Sequence, residues 1–588
     1  MIFALISTNP LKHKINTRHE HTLVATQFQK EKNLYKREKI AVHRWSKIFL
    51  LYFCKVIYKA MTMIQERIYP VGIQDFEKLR TKGAVYVDKT DLIYKLAQKD
   101  YVFLNRPRRF GKSLLSSTLK YYFQGRKDLF QGLAIEKLET EWTEYPVLYF
   151  DLSTAKNQDL AGVRSELERQ LRTYESVYGS DEKNDSPGKR LTFLINTAHS
   201  KTGQKTVVII DEYDAPMLDV LHDDERMGEV RRMMQEFYAP LKACDADLRF
   251  VFITGITKFS QLSIFSVINN LTNVSMQPEF SAICGITEEE LHTVFEEDIA
   301  MLAEKYKCPE EDMRIRLKKQ YDGYHFSEES SDIYNPFSLL KAFDQRKIAS
   351  YWFESGTPTY LIHQMRRFNM DITSLDNIEA SPSVFDRPSE SMTDALALLY
   401  QIGYLTIKSY DRDFETYQLG IPNKEVKVGL SENLLPSFTN RSDLDNATLI
   451  QKFCRALLNE DLESALIALR AYLAGIPYPE GGKDILEDME KCEYYYETIF
   501  YLLFSFMNRH IQTQVKTSRG RADMVMHTRK AIYVFELKIN KSAELALRQI
   551  DEKGYMIPFT ADERKLIKCG INFSTTTRTI DEWIIKEE

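Results

Sequence analysis

Two sets of residues in this chain have the types and spacing that phosphate chemistry needs. Gly111-Lys112-Ser113 follows the apolar run Tyr101–Leu104 and opens a segment of helical periodicity. A glycine there lets backbone N–H groups approach a phosphate, and the helix start adds its positive end. Lys112 would then reach the β- and γ-phosphates of a nucleotide such as ATP, with the Ser113 hydroxyl on Mg²⁺. The loop departs from the usual pattern. Arg106 stands five positions before Gly111, where a first glycine is expected, so the chain has to turn with Pro107. Alone, Gly-Lys-Ser is a common surface turn. Its partner is Lys205-Thr-Val-Val-Ile-Ile-Asp-Glu-Tyr-Asp, an apolar strand ending in acids. Such a strand places Asp211 in the metal shell and leaves Glu212 to polarise a water; the duller alternative is an acidic strand end facing solvent.

Leu248–Thr254 reads as a further strand. In an open parallel sheet the C-terminal strand ends face the ligand crevice. Thr254, and less so Thr257, is therefore a candidate sensor of the γ-phosphate, with a capping threonine as an equal alternative. Arg109 and Arg108 are candidates for clamping phosphate or for reaching a neighbouring subunit of a homo-oligomer, against solvated loop arginines. Asp214 reads as a turn or cap residue.

The second set lies near the C-terminus: Glu497 in the helical Tyr494-Tyr-Tyr-Glu-Thr-Ile-Phe, Asp523 in Gly520-Arg-Ala-Asp, and Glu536 and Lys538 in Ala531-Ile-Tyr-Val-Phe-Glu-Leu-Lys. Period-two alternation puts Glu536 and Lys538 on one face of a strand and Phe535 and Leu537 on the other. Asp523, 13 residues before Glu536, falls on a neighbouring strand at hairpin distance. Two carboxylates converging from adjacent strands offer hard oxygen ligands for Mg²⁺. A lysine beside them orients water or neutralises charge developing on phosphate. This is the minimal apparatus for metal-assisted phosphodiester hydrolysis. Taken singly, Glu-x-Lys on a strand is usually a solvated ion pair; the ordered set, continued by Gln549 on a helix, is more specific. Lys516, Arg519, Arg521, Lys530 and Lys541 suit a nucleic-acid backbone, although a net charge of −5 argues against very tight non-specific binding.

Positioning these groups takes a particular order of elements. Short β-branched runs at Tyr101–Leu104, Val147–Leu152, Val207–Ile210 and Phe250–Thr254 alternate with long helical segments, which indicates a parallel sheet with crossover helices. From Thr287 to Glu460 helical periodicity dominates, with a small β element near Tyr404–Ile407. Tyr324, His325 and the Tyr494–Tyr496 run read as packing residues. After the loop Ala474–Gly482 the last segment reads as helix, three short strands, helix.

Composition narrows the class. The chain has 588 residues, 44% hydrophobic and 28% charged, too apolar for disorder and too charged for a membrane bundle. Seven cysteines without a CxxC pair argue against a disulfide scaffold or a four-cysteine zinc site and for a reducing cytoplasm. No apolar run reaches the roughly 18 residues of a spanning helix, so no membrane partner is expected. Residues 1–60 carry 12 Lys/Arg against three Glu, a net of +9, leaving −14 on the rest. A basic nucleic-acid arm is one account of this extension; the favoured expectation is that translation starts at Met61 or Met63.

Tyr69-Pro-Val-Gly-Ile-Gln-Asp-Phe, Tyr86-Val-Asp-Lys-Thr, Arg106-Pro-Arg-Arg-Phe-Gly-Lys-Ser, Ile210-Asp-Glu-Tyr-Asp and Ile253-Thr-Gly-Ile-Thr-Lys-Phe-Ser resemble the AAA-ATPase-like family of bacterial proteins, which carry a PD-(D/E)XK nuclease-superfamily domain at the C-terminus. Tyr321-Asp-Gly-Tyr-His-Phe, Tyr334-Asn-Pro-Phe-Ser and Gln401-Ile-Gly-Tyr-Leu-Thr-Ile are similar to that family's middle region. The resemblance runs from about Tyr69 to Trp583. It implies that the loop without a first glycine is the family's own version. It also implies that Asp523, Glu536 and Lys538 are the nuclease Asp, Glu and Lys, Glu497 the helix acid, and Gln549 with Tyr555 the following Gln–Tyr pair. The expected fold class is α/β: a P-loop NTPase-type parallel sheet (63–286) after a basic extension (1–62), a mainly helical lid or winged-helix-like region (287–460), and a small α/β restriction-endonuclease-like domain (461–588). The expected activity is an ATPase coupled to a Mg²⁺-dependent nuclease in the cytoplasm, acting on DNA in preference to RNA, in defence or DNA processing. The alternative is an ATP-switched signalling or scaffold protein that binds nucleic acid without cutting it.

Overall fold

The computed structural model describes residues 67–155, 159–218, 220, 223–258, 271–355, 361, 365, 370–386, 395–439, 443–476, 489–505, 510–517, 520–528 and 530–588. The basic extension, Arg519 and most of the 474–482 loop lie outside them. Residues Ile68–Glu588 form one compact unit.

The expected strands form β1 (Tyr101–Asn105), β2 (Val147–Asp151), β3 (Thr206–Asp211) and β4 (Leu248–Gly255), with a two-residue edge strand β5 (Thr272–Asn273) that the sequence pattern does not reveal. They build one parallel sheet in the order β2-β3-β4-β1-β5. All six residues of β3 are buried, which is why it reads as a continuous apolar run: a central parallel strand is covered on both faces. Register sets the site. Asn105 pairs with Gly255 and Asp151 with Asp211, so the loops after β1, β3 and β4 leave the sheet at one edge.

The middle region is helical and adds small sheets. β6 (Ile286–Thr287) pairs with β7 (Ile333–Tyr334), and β8 (Ile378–Ala380), β10 (Thr416–Gly420) and β9 (Thr406–Asp411) form a three-stranded antiparallel sheet. The expected β element near Tyr404–Ile407 is thus one strand of a hairpin, starting at Thr406.

The C-terminal region holds more β-structure than expected. After helix α1 (Met489–Ser505) come β11 (His510–Thr517), β12 (Gly520–His527), β13 (Ala531–Ile539), helix α2 (Ala543–Lys553), β14 (Lys565–Ser574) and β15 (Thr579–Glu587). The sheet order is β11-β12-β13-β14-β15, with β13 and β14 parallel and the other pairs antiparallel. The helix that the sequence places last is therefore the crossover joining two parallel strands. One apolar core runs from the first sheet through the middle helices to the α1 side of the last sheet; a smaller one lies under α2.

Candidate active sites

The first site sits where β1, β3 and β4 end. Gly111 caps the helix Lys112–Phe123 with φ 91°, and the loop before it turns at Arg109, whose φ is 68°. A non-glycine residue in that region is disfavoured by about 1–2 kcal/mol, so an arginine here does the turning that the absent glycine would do. Arg106 explains that absence. It is 1% exposed, and its guanidinium donates to the carbonyls of Asn105 (3.0 Å), Ser275 (2.7 Å) and Phe280 (3.1 Å) while lying over the Phe326 ring at 4.1 Å. The position serves as an internal anchor to the segment after β5.

Lys112 is buried and gives its ammonium to the carbonyls of Arg106 and Pro107, each at 3.0 Å. Burial pushes its pKa down, against the opposing pull of Glu212 and Asp211. Asp211 is 1% exposed. Burial raises its carboxyl to about 7; a Ser113 hydrogen bond opposes the rise and the Glu212 charge adds to it. Tyr149 donates to Asp211 Oδ2 at 3.4 Å. Glu212, half-buried at φ 49°, gives its N–H to Asp211 Oδ1 at 3.0 Å. Lys112, Ser113, Asp211 and Glu212 are thus brought together, and Ser113 with Asp211 supplies the hard oxygen donors Mg²⁺ takes.

The remaining residues of this group have other partners. Thr254 is fully buried and donates its hydroxyl to the Leu104 carbonyl at 2.7 Å. Arg109 is exposed, with its guanidinium over the Phe337 ring at 4.2 Å. Asp214 holds the loop after β4: its Oδ2 accepts from Ile256 N (3.0 Å), Thr257 N (2.6 Å) and Thr257 Oγ1 (2.6 Å).

The second site lies where β12 and β13 part. Their ladder ends at Met524 opposite Phe535. One residue further, Asp523 Oδ2 accepts the Leu537 N–H at 2.7 Å, so a side chain satisfies a donor the ladder no longer serves. Alternation sorts β13 as expected: Phe535 and Leu537 join the core toward α1, while Ile532 and Val534 pack toward α2. Glu536 is 1% exposed. Its Oε1 accepts from Lys538 Nζ at 2.8 Å, and its buried Oε2 has no hydrogen-bond partner among the described residues. Burial drives the Glu536 carboxyl up to about 7, helped by the Asp523 charge and opposed by Lys538. A buried carboxylate oxygen left open beside a second carboxylate fits a divalent cation. Lys538 also donates to the Leu537 carbonyl at 3.1 Å.

Glu497 is 6% exposed on α1, whose Phe500 and Phe504 pack on Phe573 and Phe535. Among the described residues no three His, Cys, Asp or Glu side chains come together as a metal cage. Gln549 on α2 reaches the Tyr555 hydroxyl at 3.5 Å. Sequence reasoning missed Gly570, which pairs with Glu536 across β13 and β14. A Cβ there would lie 2.3 Å from the Ala543 carbonyl oxygen, so only glycine lets α2 sit this close to the Glu536 face. The readable signal was a glycine inside an apolar strand, which marks close backbone approach.

Both candidate sites lie within stretches that match known families. Residues 70–265 match the family described as "Predicted AAA-ATPase", and residues 491–583 match the PD-(D/E)XK nuclease superfamily. A protein of Azotobacter chroococcum mcd 1, described as "Uncharacterized protein in vnfD 5'region", is 31% identical over 527 residues, covering 88% of this chain and 98% of that protein. The chain belongs to the AAA-ATPase-like family, with a PD-(D/E)XK nuclease-superfamily domain at its C-terminal end.

Proposed function

We propose that this protein binds and hydrolyses ATP with Mg²⁺ at the first site and uses a divalent cation at the second to cut nucleic acid, DNA in preference to RNA. Lys112 takes the β- and γ-phosphates, Ser113 and Asp211 would hold Mg²⁺, and Glu212 orients water. At the second site Asp523 and Glu536 would hold the metal, with Glu497 as an outer acid. The metal supplies Lewis acidity toward the phosphate and a more acidic bound water. Lys538 orients the attacking water or offsets charge on the phosphate, with Gln549 and Tyr555 as accessory residues.

What carries this proposal is the buried, unpartnered Glu536 Oε2 between Asp523 and Lys538 at the parting of two strands. Coupling of the first site to the second is part of this proposal, and packing in the middle region supports it. Helix Lys424–Thr439 packs along α1, and Asp376 accepts from Lys427 on the former (2.5 Å) and Tyr501 on the latter (3.4 Å). The lack of a three-carboxylate cage among the described residues favours a second reading, an ATP-switched protein that binds nucleic acid without cutting it. Supercoiled plasmid incubated with Mg²⁺ or Mn²⁺ separates them. Nicking by the wild type that is lost in Asp523→Ala and Lys538→Ala supports the nuclease; binding without nicking under either metal, with or without ATP, supports the second reading.

A further inference from the structure

Three motifs distant in the chain converge on the phosphate loop from the middle region. Phe110 meets Tyr324 edge-on at 4.7 Å and Phe326 at 5.4 Å. Phe337, from Tyr334-Asn-Pro-Phe-Ser, lies under Arg109. Gly403 sits so near Pro107 that a Cβ would come within 2.6 Å of the proline ring. One directional bond completes the set: Trp352 Nε1 donates to the Arg108 carbonyl at 3.3 Å. Trp352 is itself fixed. Glu425 Oε1 accepts the backbone N–H of Tyr351 at 2.6 Å and of Trp352 at 3.0 Å, and the indole packs against Tyr404 and Phe353, each at 5.1 Å. Glu425 is 1% exposed and Trp352 7%. A buried carboxylate held by two amides of one turn makes strong, charge-assisted hydrogen bonds and leaves that turn little freedom.

Resting on the reading of Gly111–Ser113 as a nucleotide site, we infer that Glu425 and Trp352 are positioning residues for nucleotide binding. A loop that turns through Arg109 in the left-handed region is disfavoured when isolated. Glu425 fixes Trp352, Trp352 fixes the Arg108 peptide, and the amides that follow are held ready for phosphate. Pre-organisation of this kind raises affinity by removing the ordering cost from the binding step.

The test uses the full chain. Trp352→Phe keeps an aromatic ring and deletes the donor; Glu425→Ala deletes the acceptor; Glu425→Gln keeps an oxygen acceptor. Amide hydrogen exchange at residues 106–113 without nucleotide, calorimetric ATP affinity and melting temperature are read for each. Trp352→Phe and Glu425→Ala are expected to exchange faster in the loop and to bind ATP roughly five-fold more weakly, the weight of one net hydrogen bond. Glu425→Gln stays near wild type, and the loss of affinity in Trp352→Phe exceeds what its lower melting temperature accounts for. Unchanged loop exchange and affinity in both donor and acceptor deletions overturn the inference, as does a loss of affinity that only tracks a loss of melting temperature. A wild type that binds no ATP overturns the nucleotide reading instead, while loop exchange still decides the positioning role.

Discussion

Restoring a glycine to the phosphate loop should damage it. Arg106→Gly recreates the common pattern, yet in this fold it removes the anchor between β1 and the segment after β5. Three tertiary hydrogen bonds go, to the carbonyls of Ser275 at 2.7 Å, Phe280 at 3.1 Å and, weakly, Ser281 at 3.4 Å, together with the stacking on Phe326 at 4.1 Å. Hydrogen bonds from a charged donor contribute about 1.5–3 kcal/mol each, and a desolvated cation–π contact about 2 kcal/mol. Against these stands the cost of keeping a guanidinium out of water, which lowers the Arg106 pKa and amounts to several kcal/mol. The deletion also leaves buried carbonyls unpaired and adds about 0.5–1 kcal/mol of backbone entropy. The expected net loss is about 3–5 kcal/mol, a fall in melting temperature of roughly 3–5 °C for a cooperative unit of this size, with weaker ATP binding. Differential scanning calorimetry and ATP titration of Arg106→Gly measure both. A variant that melts with the wild type and binds ATP as tightly would refute the anchoring argument.

Other perturbations have defined outcomes. Gly570→Ala should push α2 off the sheet at a cost of about 1–3 kcal/mol or more and abolish cleavage; retained wild-type stability in urea denaturation would count against the close-approach argument. Lys538→Ala should cut plasmid nicking about 10²–10³-fold while gel-shift DNA affinity persists; an equal loss of both would make it a binding residue. Asp211 and Glu536 both have carboxyl pKa values raised to about 7, so the folded, metal-free chain holds extra protons between about pH 4 and 7 and its stability falls as pH rises through that window. Because a metal takes the deprotonated form, the Mg²⁺-induced rise in melting temperature should be larger at pH 8 than at pH 6. An equal rise at both pH values would show that neither carboxyl binds the ion.

The first sheet was largely legible because its strands are apolar on both faces and end in polar groups, as in Val207–Ile210 followed by Asp211. β5 was not, since two residues paired only with β1 leave no periodic trace. Lys565–Ser574 and Thr579–Glu587 were hidden for a different reason: β15 pairs only with β14 and mixes Asp581, Glu582 and Lys586 with Ile584 and Ile585, so its alternation is blurred. At the candidate sites, type and spacing singled out Lys112 with Asp211, and Asp523 with Glu536 and Lys538, and the fold brings each group together. The roles of Arg106 and Trp352 were not readable, because each acts through backbone carbonyls whose positions only the tertiary fold determines.

Central to the account is one chain in which a nucleotide site governs a metal-dependent nuclease site. Nicking of supercoiled plasmid in Mg²⁺, followed against ATP concentration in wild type and Lys112→Ala, tests that most directly. The account predicts a wild-type rate that changes with ATP and a Lys112→Ala rate that does not respond to it. Nicking that is indifferent to ATP in both proteins would contradict the coupling, and a Lys112→Ala variant that responds as the wild type does would contradict the assignment of the nucleotide site.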